Sequence, residues 1–128
     1  MAYIFYNPNP SGQRNGDCVI RAIAKATNQE WEKVYIDLVL EGFLMYDLPS
    51  SNRVWKAYLE RKGFKRYFLP DTCPDCYTIQ QFCKDYPNGT YILATGSHAV
   101  CVIDSNYYDL WDSGDEIPMY YFKRENDI

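Results

Sequence analysis

One histidine, His98, is the chain's whole supply of imidazole, so chemistry that needs an imidazole base or ligand must run through that position. Basic residues are outnumbered. Thirteen Lys and Arg stand against 17 Asp and Glu, giving a net charge of −4, and the basic residues scatter along the chain. That pattern excludes a surface that tracks a phosphate backbone, so no nucleic-acid partner is expected. No apolar run approaches the roughly 18 residues needed to cross a bilayer. The opening Met1-Ala2-Tyr3-Ile4-Phe5-Tyr6 lacks the basic region and long apolar stretch of a signal peptide. A cytoplasmic protein with no membrane partner is the expectation. Five cysteines, at 18, 73, 76, 83 and 101, are an odd count without an export signal, which argues against a disulfide framework and for reduced thiols.

What the chain does have is apolar material. With 47% hydrophobic and 17% aromatic residues over 128 positions, it fits a single domain, 1–128, around one filled core. The Pro-, Gly- and Asn-rich segment 7–16 reads as an irregular loop. Asp17 or Gly16 then caps a helix over 18–26 whose Val19, Ile20, Ile23 and Ala24 share a face. Thr27-Asn28-Gln29-Glu30 has the form of a capping box before a second helix carrying Trp31, Val34, Tyr35, Leu38 and Val39 to about Glu41. A third helix starts at Ser50 or Ser51 and ends at Gly63.

Residues 66–69 are strand-like, and Thr78 caps a short helix to about Asp85. Short β-branched or aromatic runs at 90–94, 98–103, 107–111 and 119–122 then read as strands separated by turn residues. Three helices precede any clear strand, and an antiparallel sheet follows. The fold class is α+β, with fraying expected over 124–128.

Cys18 lies on the first turn of the first helix, where unpaired amides and the positive end of the helix dipole favour thiolate over thiol. A small buried cysteine filling a gap between helix and sheet is the plainer reading. His98 begins the strand 98–103, and by itself it is simply a polar residue where a strand reaches solvent. A third residue follows from hairpin geometry. If Asp104, Ser105 and Asn106 form a three-residue loop, Asp112 falls opposite His98 on the same face; a two-residue turn at Ser105 and Asn106 would put Ser113 there instead. Asp109 and Asp104 are weaker candidates for the same place. A carboxylate on the imidazole fixes its tautomer and stabilises its charged form.

Gly16-Asp17-Cys18-Val19-Ile20-Arg21-Ala22-Ile23, then Ser97-His98-Ala99-Val100, then Trp111-Asp112-Ser113, resemble the Cys, His, Asn/Asp order of papain-like cysteine peptidases, most closely the small ones of bacteria and phages. The block around Cys18 also resembles the nucleophile helix of ovarian-tumour-type deubiquitinases. The resemblance implies a papain-like α+β fold and a thiol hydrolase acting on a peptide or protein substrate, with no cofactor. It assigns Cys18 as nucleophile, His98 as general base and acid, and Asp112 as the residue orienting His98. It also implies an oxyanion site of the Cys18 amide and a side chain upstream. Gln13 is the first choice and Asn15 the substitute; a solvated loop amide is an equal reading of Gln13. Trp111 is expected to shield the histidine from water.

Two other constellations compete. Cys73-Pro74-Asp75-Cys76 is a C-x-x-C motif, but the thioredoxin arrangement needs a preceding parallel strand and a βαβ context that the element order lacks. Zinc on Cys73, Cys76 and Cys83 has no nearby fourth ligand. A non-catalytic module of papain-like shape, binding a partner protein, is the main alternative to an enzyme. Oligomeric state is not encoded in any of these features.

Overall fold

The computed structural model describes residues 2–125. Along them run β1 (Ala2–Phe5), α1 (Cys18–Thr27), α2 (Trp31–Leu44), α3 (Asn52–Arg61), β2 (Phe64–Phe68), α4 (Ile79–Asp85), β3 (Thr90–Ala94), β4 (Ala99–Ile103), β5 (Asn106–Asp109) and β6 (Tyr120–Arg124). Four helices and a six-stranded mixed sheet make an α+β fold. The strands lie in the order β1-β5-β4-β3-β6-β2. All neighbours are antiparallel except β1, which pairs parallel to β5 with Ala2 beside Asn106.

Alternation along the central strands explains why both faces of the sheet are covered. Ile92 and Ala94 of β3, Ala99 and Cys101 of β4, and Phe122 of β6 face a core built with Ile23 of α1, Leu38 of α2, and Trp55 and Leu59 of α3. The intervening Tyr91, Leu93, Val100, Val102 and Tyr121 face Ile79 and Phe82 of α4. Phe82 meets Tyr91 and Tyr121 edge to face, with ring centroids 5.2 and 5.0 Å away. The tyrosine-rich composition is thus largely spent on this second layer. Each large side chain buried there contributes about 1.5–3 kcal/mol.

Local signals succeed or fail for identifiable reasons. Thr78 caps α4 as its sequence implies, accepting from the Gln81 amide at 3.2 Å. The capping box at 27–30 does not form. Thr27 Oγ1 donates to the Ile23 carbonyl at 2.6 Å, Asn28 takes the left-handed conformation that ends α1, and Glu30 begins α2 without a side-chain cap. β1, which the sequence does not announce, is an exposed edge strand whose strand partner among the described residues lies about a hundred residues away, so it carries no local periodicity. Fraying over 124–128 fails at its start: Arg124 belongs to β6, and the Glu125 amide donates to the Gly63 carbonyl at 2.9 Å. The rest of that segment, 126–128, lies outside the described residues.

Candidate active site

Asp17 precedes α1 but does not cap it. Its carboxylate is engaged elsewhere: one oxygen pairs with the Arg21 guanidinium, and the other accepts from Trp31 Nε1 at 2.9 Å. Among the described residues no acceptor takes the amides of Cys18, Val19 or Ile20. The open end of the helix therefore presents its unpaired N–H groups and its dipole to the Cys18 sulfur.

His98 is supplied from the sheet. The bend at 95–97 closes the β3–β4 hairpin, with the Thr95 amide donating to the His98 carbonyl at 2.8 Å, and leaves the imidazole buried. The connection from β4 to β5 then decides what meets it. The turn has two residues, Asp104 and Ser105, with φ of +47° and +73°, and Ile103 pairs with Asn106. This is the primed type that suits the twist of a hairpin. It matches neither loop considered from the sequence. Carried onward, the register sets residue 111 opposite His98, and the Trp111 ring stacks on the imidazole at 4.5 Å between centroids.

Asp109, two residues earlier and on the same face, reaches diagonally: its Oδ2 lies 2.6 Å from His98 Nε2. The carboxylate on the histidine is therefore Asp109, not Asp112. Asp112 instead accepts from the Tyr107 hydroxyl and, at 3.0 Å, from the Gly114 amide, which ties down the segment after β5. Asp104 sits in the turn, where its side chain accepts from the Gly89 amide at 2.9 Å.

Asp109 is 1% exposed and fully satisfied as an anion. Besides His98 it accepts from Ser113 Oγ at 2.7 Å, its own neighbour Leu110 N at 2.8 Å and Arg21 Nη2 at 3.2 Å. Burial alone would raise its pKa, but the bonds from His98 and Ser113 and the histidine's charge outweigh that and hold it below the usual carboxylate range. Burial likewise works against the His98 cation. Asp109 and Cys18 more than compensate, and the imidazole is raised to about 9. For Cys18, desolvation is opposed by hydrogen bonds from His98 and the Ala99 amide and by the charges of His98 and Arg21, leaving the thiol below its ordinary value. With Nε2 on Asp109, the ring nitrogen that meets Cys18 is Nδ1. The arrangement favours a thiolate beside an imidazolium.

The other cysteines lack this setting. Burial pushes Cys83 up to about 11 and raises Cys101 further. Cys73 and Cys76 are joined by a disulfide in the exposed loop before α4, which corrects the expectation of reduced thiols for this pair. Their Cα atoms lie 4.2 Å apart, and α4 starts only at Ile79. Among the described residues neither cysteine lies on the first turn of a helix, one of the settings that activates a dithiol. Among the described residues no cluster of His, Cys, Asp or Glu could hold a metal ion.

Cys18 and His98 line a cleft of about 230 Å³ together with Ser50, which precedes α3, and Asn52 and Trp55 of α3. Asn52 Oδ1 accepts from Trp55 Nε1 at 3.0 Å, which fixes the carboxamide and leaves Nδ2 as its free donor. Gln13 and Asn15 are exposed loop residues outside the cleft lining. The structure therefore does not bring the expected oxyanion side chain to Cys18. Asn52 lines the same cleft as Cys18, and no linear motif connects the two.

Comparison of the chain with family models, with curated proteins and with solved structures finds no match in any of the three. Among the described residues no helix is long and apolar enough to cross a membrane.

Proposed function

We propose that the protein is a cysteine hydrolase of papain-like design that cleaves a peptide or isopeptide bond through an acyl-enzyme on Cys18. The observation that carries this reading is that Cys18 and His98 line one cleft, with His98 Nε2 held 2.6 Å from the buried anion Asp109. The Cys18 thiolate attacks the carbonyl carbon, forming an S–C bond and moving the π electrons onto oxygen. The Cys18 amide and Asn52 Nδ2 are the donors available to that oxyanion.

On collapse the C–N bond breaks, and the leaving nitrogen takes the proton from His98 Nδ1. Water then attacks the thioester carbonyl while His98 takes its proton, and the acid leaves as the Cys18 thiolate returns. An amine in place of water would make the same residues a transferase. Asp109 keeps the imidazole oriented and its cation stabilised throughout.

p-Nitrophenyl acetate tests the acyl-enzyme directly. Wild-type protein is expected to release a burst of nitrophenolate and to carry acetyl on Cys18 by peptide mass spectrometry. Cys18→Ser should lose both. Asn52→Ala is expected to slow acylation by about 10²–10³-fold, the range for loss of one oxyanion donor, while Gln13→Ala retains the wild-type rate. Acetylation spread evenly over Cys18 and Cys83 would reject the proposal.

A further inference from the structure

Helix α2 is apolar on the side that faces away from the core. Its buried residues are Val34, Leu38, Gly42 and Glu41, the last paired with Arg61. On the opposite side Ile36, Leu40 and Phe43 are 57, 54 and 74% exposed, with Val39 and Leu44 exposed beside them. Beyond Asp37 no charged side chain interrupts that outer side. A helix that is apolar all round belongs in an interior, and this one has its outer side in water.

The turn after α2 extends the surface. Gly42 lets it close tightly: the Asp47 amide donates to the Gly42 carbonyl at 2.9 Å, and a Cβ on Gly42 would come within 2.7 Å of the Asp47 carbonyl oxygen. The chain passes through Tyr46 at φ +54°, a left-handed conformation that glycine adopts freely and a bulky residue only under strain. Tyr46 is nevertheless 96% exposed. A strained aromatic residue held out in water does nothing for the fold of a single chain and marks a place where another surface arrives. Ile36, Val39, Leu40, Phe43, Leu44 and Tyr46 together present on the order of 800 Å² of accessible surface, more than the largest apolar patch of a typical monomer and about what each partner of a stable interface buries.

We propose that this face is the interface of a homodimer, with α2 of two copies packed antiparallel about a two-fold axis beside Leu40. The patch is self-complementary in that arrangement. Ile36 of each copy meets Phe43 of the other and the hollow of about 400 Å³ that Phe43 lines with Tyr46 and Leu48, and the two Leu40 side chains meet at the axis. Exposed Glu32, at the start of each helix, comes to the end of the other, where Arg53 lies exposed beside Asp47. Opposite charges and opposed helix dipoles favour this direction over a parallel one. No residue of α2 lines the Cys18 cleft, so the dimer stands or falls separately from the proposed hydrolase.

Sedimentation equilibrium of the full chain tests the interface. A mass of twice 15.1 kDa is expected across the micromolar range. Leu40→Lys sets two ammonium groups against each other at the axis and is expected to weaken the dimer by at least about 30-fold, the scale of a central interface residue. Tyr46→Gly relieves the backbone while removing the ring, so it should weaken the dimer and keep the wild-type circular dichroism spectrum. A 15.1 kDa monomer throughout, including one whose α2 face takes up phospholipid vesicles or a different protein, would overturn the proposal. So would a dimer that neither substitution changes.

Discussion

The proposed chemistry at Cys18 depends on Asp109, three positions before the carboxylate that a three-residue hairpin loop would set against His98. Asp109 and Asp112 are alike in charge and nearly adjacent, yet one is buried against His98 while the other fastens a turn through Tyr107 and Gly114. Removing Asp109 takes away the anion that sustains the imidazolium, and with it part of the thiolate. Asp109→Ala is expected to slow alkylation of Cys18 near neutral pH by about ten-fold for each unit its thiol pKa climbs back. Asp112→Ala should react at the wild-type rate. The reverse result would restore the hairpin register with the longer loop. Linkage gives these groups opposite pH signs. His98, raised from 6.5 to about 9, contributes stability fully below 6.5 and loses it as pH rises through about 9; Asp109, held low, contributes at higher pH and loses it as pH falls through its depressed pKa.

At the scale of elements, α1 and β5 are locked together by Arg21. Its side chain is 4% exposed and pairs with Asp17 just before Cys18 and with Asp109 on the histidine. One guanidinium thus ties the start of α1 to the end of β5, which carries the carboxylate on His98. Arg21→Met leaves two buried carboxylates without their cation and is expected to cost about 3–5 kcal/mol in chemical denaturation, the range for breaking a buried pair. Arg21→Lys should recover only part of this, because a point charge does not reproduce a forked contact. Unfolding of Arg21→Met at the wild-type denaturant midpoint would show that the pair contributes nothing. Arg21 was visible in the sequence only as part of a resemblance. Its partner Asp109 lies 88 residues away, and no helical pattern announces so distant a contact.

Across the whole molecule, the α+β class and the places of Cys18 and His98 were legible because helix ends and strand starts are written in adjacent residues. What could not be read depends on pairing between distant segments. β1 joins β5 across the chain, and the carboxylate partner of His98 hinges on positive φ at Ser105, a conformation that Gly, Asn or Asp advertises and Ser does not. A linear motif keeps a proposed oxyanion side chain close upstream of Cys18, at Gln13 or Asn15, and both are exposed loop residues. The carboxamide that shares the cleft with Cys18 is Asn52, from α3. The paired motif Cys73-Pro74-Asp75-Cys76 was legible as a motif but not as an oxidised pair.

The most direct test of the central claim is the rate of iodoacetamide alkylation of each cysteine from pH 4 to 9, resolved by peptide mass spectrometry, in wild type and His98→Ala. A thiolate paired with imidazolium predicts that Cys18 reacts fastest, with its reactivity beginning well below the free-thiol pKa of about 8.5 and shifting in character near pH 9 as His98 loses its proton. In His98→Ala the acid-side reactivity should vanish, and the rate should rise only as an ordinary thiol ionises. A Cys18 that titrates like an ordinary thiol in both proteins would contradict the account.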